Sequence, residues 1–514
     1  KLAEEPAREA EARDLHSAHY ARALQRWEAD LRGPRQQAAL SEMDVESKNI
    51  RRAWEWAIER AQVERLAQMM DGFQSFYWRR GRYQEGAAAF ERATTWLAEA
   101  RHTPGRVLSR ALTWRSSYCQ ALGLAKRAAR LQCEAWTVIK SQESRGENAR
   151  PEKALLYWLM GRRVHVSDYD QARQFYQRSL DLYRQSEDSW SIANVLHSLS
   201  SIARLTGALG EAWRLCEESL AIRRGLGDQA GIARSTVYLA EIALHWGRYE
   251  ESERLARDSI AKCRQLGDQA EQAYGLHVLG VALESDGRFD EALCAHEPSL
   301  DIFEELGRQH YMAAAQSHLA STKMHQGRYE EARDHALACL ALARETDLTF
   351  KIAQAQRLLG ALALTGGGYA ECRRWAQANL AVSEQTGHSI EAGLAHALLA
   401  HAARGLGDLE RAKRHLWAAL QLVLKRGASV QFLWTLSAAT LVLADQGARE
   451  RAVEAYTLVL QHGHATHSRW FADIVGSPMT AVVAALPPAI AAKAQARGRR
   501  CDLESTAAEL LAEL

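Results

Sequence analysis

Gly247-Arg248-Tyr249-Glu250-Glu251-Ser252 is the stretch that decides the fold, because it returns along the chain at a fixed stride. The order is a small residue, a bulky one two places on, usually Glu, then a second small residue. It recurs as Gly207-Ala208-Leu209-Gly210-Glu211-Ala212 and Gly287-Arg288-Phe289-Asp290-Glu291-Ala292. Further copies are Gly327-Arg328-Tyr329-Glu330-Glu331-Ala332, Gly367-Gly368-Tyr369-Ala370-Glu371-Cys372 and Gly407-Asp408-Leu409-Glu410-Arg411-Ala412. With weaker copies at Ser167 and Gly447, the starts fall every 40 residues from 167 to 447. Looser copies at Gly81 and Gly123 extend the series toward the N-terminus. Self-similarity at a fixed period marks stacked repeats rather than a set of independent globular domains.

Each period holds two helical stretches. Between Asp228 and Gly267 the first carries Ala233, Val237, Ala240, Ile242 and Leu244, the second Tyr249, Leu255, Ala256, Ile260 and Leu266. Spacings of three and four put these side chains on one helical stripe, not on alternate faces of a strand. Gly247 falls at the turn between them, and Gly267 closes the second helix. Asp268, with Glu271 three residues on, reads as the next N-cap. A single hairpin cannot hide its apolar stripe, so neighbours must stack. The expected fold is all-α: a right-handed α-solenoid superhelix of about ten helical hairpins, with a concave inner face.

The chain has 514 residues, 47% of them hydrophobic, which excludes a disordered tail or a collagen-like rod. Its 65 basic and 63 acidic residues leave a net charge of +2, so direct nucleic-acid binding is not expected. No apolar run reaches the roughly 18 residues of a membrane helix; the best, 480–492, contains two prolines. The start, Lys1-Leu2-Ala3-Glu4-Glu5-Pro6, lacks an initiator Met and an apolar signal core, as expected of a segment excised from a longer polypeptide. Eight scattered cysteines without a C-x-x-C pair read as buried, reduced thiols, and the compartment expected is the cytoplasm.

Catalytic signatures are missing. Gly is never followed by Lys, so there is no phosphate-cradling P-loop, and H-E-x-x-H, G-x-S-x-G and EF-hand patterns do not occur. Gly366-Gly367-Gly368 sits at a repeat turn without a preceding strand. His462-Gly463-His464-Ala465-Thr466-His467 reads as a surface cluster at a helix end, and neither a metal nor a cofactor is expected. Trp158, Trp190, Trp213, Trp246, Trp375 and Trp417 read as core and inter-repeat residues, and the Arg-rich spots 51–52, 79–82 and 497–500 as solvated helix ends.

The Leu239-Ala240, Gly247, Tyr249 and Ala256 pattern resembles tetratricopeptide repeats over roughly residues 60–465, in a longer-helix form than the usual 34-residue unit. HEAT repeats share the period but lack the Gly-x-Tyr-x-Glu-Ala turn. The flank Leu31-Arg32-Gly33-Pro34, then Glu46-Ser47-Lys48-Asn49-Ile50-Arg51-Arg52-Ala53-Trp54-Glu55-Trp56-Ala57, is similar to a segment of bacterial STAND-class signal-transducing NTPases, including MalT-like and AfsR-like regulators. In those proteins it follows a winged-helix module and leads into a repeat sensor; the tail from Leu486 to Leu511 resembles their C-terminus.

This resemblance implies three parts: 1–45 as the helical end of a winged-helix or linker module, 46–470 as the repeat superhelix, and 471–514 as capping helices. It implies a non-catalytic sensor that binds a protein, a peptide or a small-molecule inducer and controls an NTPase domain upstream in the same polypeptide. The alternative is a free-standing adaptor for peptides of partner proteins. Family groove positions fall here on Asn194, His197, Ser201 and Arg204, then Arg234 and Glu241, then Tyr274, His277 and Glu284, then Ser317, Ser321, Gln354 and Arg357. Their mix of charge and hydrogen-bonding groups suits a polar ligand or an extended peptide.

Overall fold

The computed structural model describes residues 6–100, 104–165, 168–426 and 429–513; Lys1 to Glu5 and the weak repeat start at Ser167 lie outside them. Among the described residues every regular element is a helix and none is a strand. From Val63 to Val459 the helices come as consecutive antiparallel pairs, so the all-α hairpin array expected from the 40-residue stride is present.

Local chemistry sets the hairpins. In the pair Gln229–His245 and Tyr249–Leu266, Gly247 adopts φ 77°, and the next N–H, of Arg248, donates to the Ala243 carbonyl at 2.9 Å. That left-handed turn residue lets the chain reverse while capping the spent helix. Asp268 then caps Gln269–Ser285, its carboxylate accepting the Glu271 backbone N–H at 3.1 Å. The small residues of the repeated motif, Ala212, Ser252, Ala292, Ala332, Cys372 and Ala412, are all fully buried where helices meet. An 80-residue rhythm stitches alternate pairs. Ser219 Oγ donates to the Ala193 carbonyl, Ser299 Oγ to that of Ala273, and Asn379 Nδ2 to that of Ala353, each at 2.8 Å.

The chain divides into two compact units, 1–235 and 236–514. In the first, Pro6–Leu31, Gln36–Val45 and Ser47–Glu59 precede the hairpins. Ile50, Ala53, Trp54 and Ala57 bury one stripe completely, and Trp54 stacks on Phe73 at 4.2 Å between ring centroids. Gly72 lets Pro6–Leu31 approach closely, since a Cβ there would lie 2.5 Å from the Leu24 carbonyl oxygen. The chain after Leu31 reaches far along this unit. Gln36 Nε2 donates to Asp228 Oδ1 at 2.5 Å and to the Leu31 carbonyl at 2.8 Å, while Gln36 Oε1 accepts the Ala230 N–H at 2.8 Å. Gln36, Asp228 and Arg223 are all buried there.

In the second unit the segment after the last repeat turns back over the first helices of earlier hairpins. Trp470 is fully buried, stacks on Trp434 at 4.5 Å and donates its indole N–H to the Ala361 carbonyl at 2.9 Å. Ser468 Oγ pairs with His325 Nδ1 at 2.6 Å, and Tyr329 donates to Asp473 at 2.5 Å. The surface-cluster expectation for 462–467 is therefore corrected: His464 is buried against Phe289 and His325, and its Nδ1 meets the Glu284 carbonyl at 2.9 Å. The cysteine expectation needs correction too. Cys119, Cys216, Cys263, Cys339 and Cys372 are buried, but Cys133 and Cys294 are exposed and Cys501 is half-buried, all eight being free. Trp246 and Trp417 are 40% and 45% exposed, so neither is a core residue.

Candidate functional site

The first unit encloses a cavity of about 320 Å³. Glu28 enters it from Pro6–Leu31 and Arg32 from the turn just after, Asp71 from Val63–Arg79, and Arg110 and Trp114 from Gly105–Ala121. Trp158, Tyr183, Asp188 and Trp190 also line it, so indole faces stand beside charged groups. Asp71 is held by both neighbours: Arg110 Nη1 donates to Oδ2 and Trp114 Nε1 to Oδ1, each at 2.7 Å. Arg32 pairs with Glu28 at 2.5 Å and lies 4.9 Å over the Trp190 ring. Asp188 is tied down as the N-cap of Ser189–Leu205, accepting the Ser191 N–H at 3.1 Å and its hydroxyl at 2.7 Å.

The electrostatics of this cavity are unbalanced. Burial, then the nearby Asp71 carboxylate, pushes Glu28 up to about 7, against the pull of Arg32 and Arg110. Burial also raises Tyr183. Within two of the lining residues, Trp190 Nε1 and Arg110 Nε are buried away from the cavity space without a hydrogen-bond partner among the described residues. A volume near 300 Å³, apolar walls and a few convergent polar groups are the usual make-up of a small-ligand or side-chain pocket.

Of the groove positions expected from sequence, only Asn194 lines this cavity, and its Oδ1 accepts from Arg223 Nη2 at 3.0 Å. Ser201 Oγ sits 3.0 Å from His165 Nε2. His197, Arg204 and Arg234 are half-buried; burial, reinforced by Arg223 and Arg234, holds His197 neutral. The cavity residues were missed because most lie outside the groove register, and two come from a helix that precedes the repeats and the turn just after it. Their trace in the sequence is the pair Trp158 and Trp190, which a packing role alone does not explain.

In the second unit Glu241 accepts from the Tyr274 hydroxyl at 2.6 Å, and Gln354 from Lys351 at 2.8 Å. Ser317 and Ser321 are buried. Arg357 Nε donates to the buried Glu391 at 3.2 Å, and its guanidinium lies 5.5 Å over Trp434. His277 and Glu284 converge with two residues outside the groove register, His296 and His318. His318 Nδ1 is 3.0 Å, and His296 Nε2 3.7 Å, from Glu284 Oε2. Ring centroids of His277 lie 5.1 Å from His318 and 6.0 Å from His296. Burial tends to raise Glu284, but the facing His296 and His318 imidazoles outweigh it and keep the carboxylate ionised; burial holds His277 and His318 neutral. Two imidazoles and a carboxylate are a donor set capable of holding a divalent metal.

Residues 231–305 match a family model described as Tetratricopeptide repeat, and residues 312–346 match a second model of that description, so the chain carries such repeats. No curated protein matches the chain. Among solved structures it is similar to aspartyl phosphate phosphatase F from Bacillus subtilis, at 11% identity and TM-score 0.49, over 69% of this chain and 93% of that one. It is similar to the apo quorum sensor NprR from B. thuringiensis at 15% identity and TM-score 0.46, over 66% and 99%. A signal transduction ATPase with numerous domains and a tetratricopeptide repeat sensor, from Pyrococcus horikoshii, aligns at 14% identity and TM-score 0.43, over 78% of this chain and 55% of that one. Among the described residues no helix is long and apolar enough to cross a membrane.

Proposed function

We propose that this chain is a non-catalytic recognition module, the sensor part of a STAND-type switch, whose ligand seats in the cavity of the first unit. The observation that carries this reading is the cavity itself: about 320 Å³, lined by Trp114, Trp158 and Trp190 beside charged side chains, with an acid held near neutral pKa. The guanidinium groups of Arg32 and Arg110, both on the lining, complement a ligand carbonyl or carboxylate. The indole faces take an apolar or cationic group, and Asp71 and Asp188 complement a positive one. A short peptide segment or an amino-acid-sized amphoteric molecule offers both.

The groove positions from Asn194 to Arg357 extend this recognition to a partner protein within each unit. The flank from Glu46 to Ala57 supports the sensor reading over the adaptor alternative, because it resembles the segment that joins such sensors to their NTPase. Ligand energy spent on pulling Glu28 and Arg32 toward the repeats would bias the flank, and a switch responds only to such differential binding.

A thermal-shift and calorimetric screen of dipeptides, amino acids and partner-derived peptides tests the cavity. Binding is expected to be weakened at least tenfold by Trp190→Ala and by Asp71→Asn, with the helical circular dichroism retained. Ligands that bind both variants as tightly as the parent would remove the cavity from the account. An upstream reading frame without a Walker A motif would remove the switch and leave the adaptor.

A further inference from the structure

Three helices of the second unit bring one donor each to a single point. Glu284 comes from Gln269–Ser285, His296 from Phe289–Glu305 and His318 from Gln309–His325. One ligand atom from each lies within 4.8 Å of the other two. A tetrahedral ion bound to nitrogen and oxygen at about 2.0–2.1 Å holds its ligand atoms about 3.3–3.4 Å apart. The separations of 3.0 Å and 3.7 Å at Glu284 Oε2 straddle that value.

The surroundings are built for these side chains. His296 is fully buried, yet neither ring nitrogen has a hydrogen-bond partner among the described residues, an expensive condition for an imidazole. Gly280 makes room for it, since a Cβ there would come within 2.4 Å of the ring. His464 Nδ1 bonds the Glu284 carbonyl oxygen, fixing the residue that carries the carboxylate. His277 stands alongside as a further imidazole, and its Nδ1 is also unpartnered among the described residues. His318 keeps 22% of its side chain exposed, which leaves an entry route for an ion.

We propose that Glu284, His296 and His318 form a binding site for one divalent transition-metal ion of the zinc class. A carboxylate and two imidazoles suit zinc and cobalt better than calcium or magnesium, which favour all-oxygen shells. Bound there, the ion ties two consecutive hairpins through three helices and uses the stranded nitrogen of His296. The proposal stands whether or not the cavity of the first unit binds a ligand.

The test uses the full chain, stripped with EDTA and titrated with zinc chloride by calorimetry and with cobalt chloride by visible absorption. One ion per chain is expected, with the ligand-field bands of tetrahedral cobalt. Glu284→Gln and His318→Gln, each checked for helical circular dichroism, should weaken binding at least about 100-fold. His462→Ala with His467→Ala should bind as the parent does. X-ray absorption of the zinc-loaded parent should show imidazole and carboxylate scattering only. Absence of saturable binding to the parent, unchanged binding in either Gln variant, loss in the His462/His467 variant, or thiolate scattering would each overturn the assignment.

Discussion

Gln36→Ala probes the contact that carries the N-terminal helix onto the repeats. The side chain makes three hydrogen bonds in a buried setting: to Asp228, to the Leu31 carbonyl, and from the Ala230 N–H. Truncation leaves the Ala230 N–H, on a residue 6% exposed, without that partner, while the Leu31 carbonyl keeps the Arg79 guanidinium at 3.0 Å. The orphaned N–H costs about 1–3 kcal/mol and the lost bond to the Asp228 carboxylate about 1.5–3 kcal/mol, so about 3 kcal/mol is expected in total, allowing for water entering the vacated space. Asp228 keeps the Gly231 N–H at 2.9 Å, so its repeat stays capped. The loss should appear as local opening of residues 30–36 against 227–231 rather than as global unfolding. Native-state hydrogen exchange reads it directly, because 3 kcal/mol accelerates exchange at Ala230 by about 100-fold. Gln36→Met keeps most of the volume and separates lost hydrogen bonds from lost packing; it should show most of the same acceleration. Exchange at Ala230 within threefold of the parent in both variants would refute this account of the contact.

Glu28→Gln tests the acid in the cavity. Its folded pKa of about 7 lies above the ordinary 4.5, so ionisation penalises the folded state increasingly between those values and by a constant amount above them. Denaturation of the variant should therefore show a stability gain over the parent, on the order of 2 kcal/mol, at pH 8 that vanishes at pH 4; a gain confined to acid pH contradicts the assignment. Gly72→Ala should cost about 1–3 kcal/mol in urea unfolding despite the better helix propensity of Ala, because the new methyl meets the Leu24 backbone. Arg357→Ala strands the buried Glu391 carboxylate and should cost about 3–5 kcal/mol, with Arg357→Met/Glu391→Gln recovering most of it. If the double variant is no more stable than the single, the ion pair is not the cause.

What could be read from the sequence was what the chain repeats. Gly247 and Gly267 fixed turn and helix end, Asp268 announced a cap, and the small residues from Ala212 to Ala412 marked the buried helix contacts. Each of these depends on neighbours within one period. The contacts that build the sites join residues far apart, as Gln36 meets Asp228 and Trp470 meets Ala361, and no local pattern encodes them. Arg357 fits the groove register, yet it spends its charge on Glu391, because a register says where a residue starts and not what its side chain finds. His296 was passed over since it sits on a second helix, outside the positions compared. Its signal was Gly280, a residue that lets a ring in where Ala would shut it out.

The Gln36–Asp228 clasp also changes how the first unit assembles. An open row of hairpins can grow from either end, each pair resting on its neighbour and fraying independently at the tips. Joining residues separated by 192 positions turns that row into a ring whose ends vouch for each other. On the ribosome, the opening helix emerges long before the hairpin that will grip it, and must wait for it with Glu28 and Arg32 uncovered. Closure of the ring then comes late, carries the loop-closure entropy of the whole unit, and makes its first and last turns melt together.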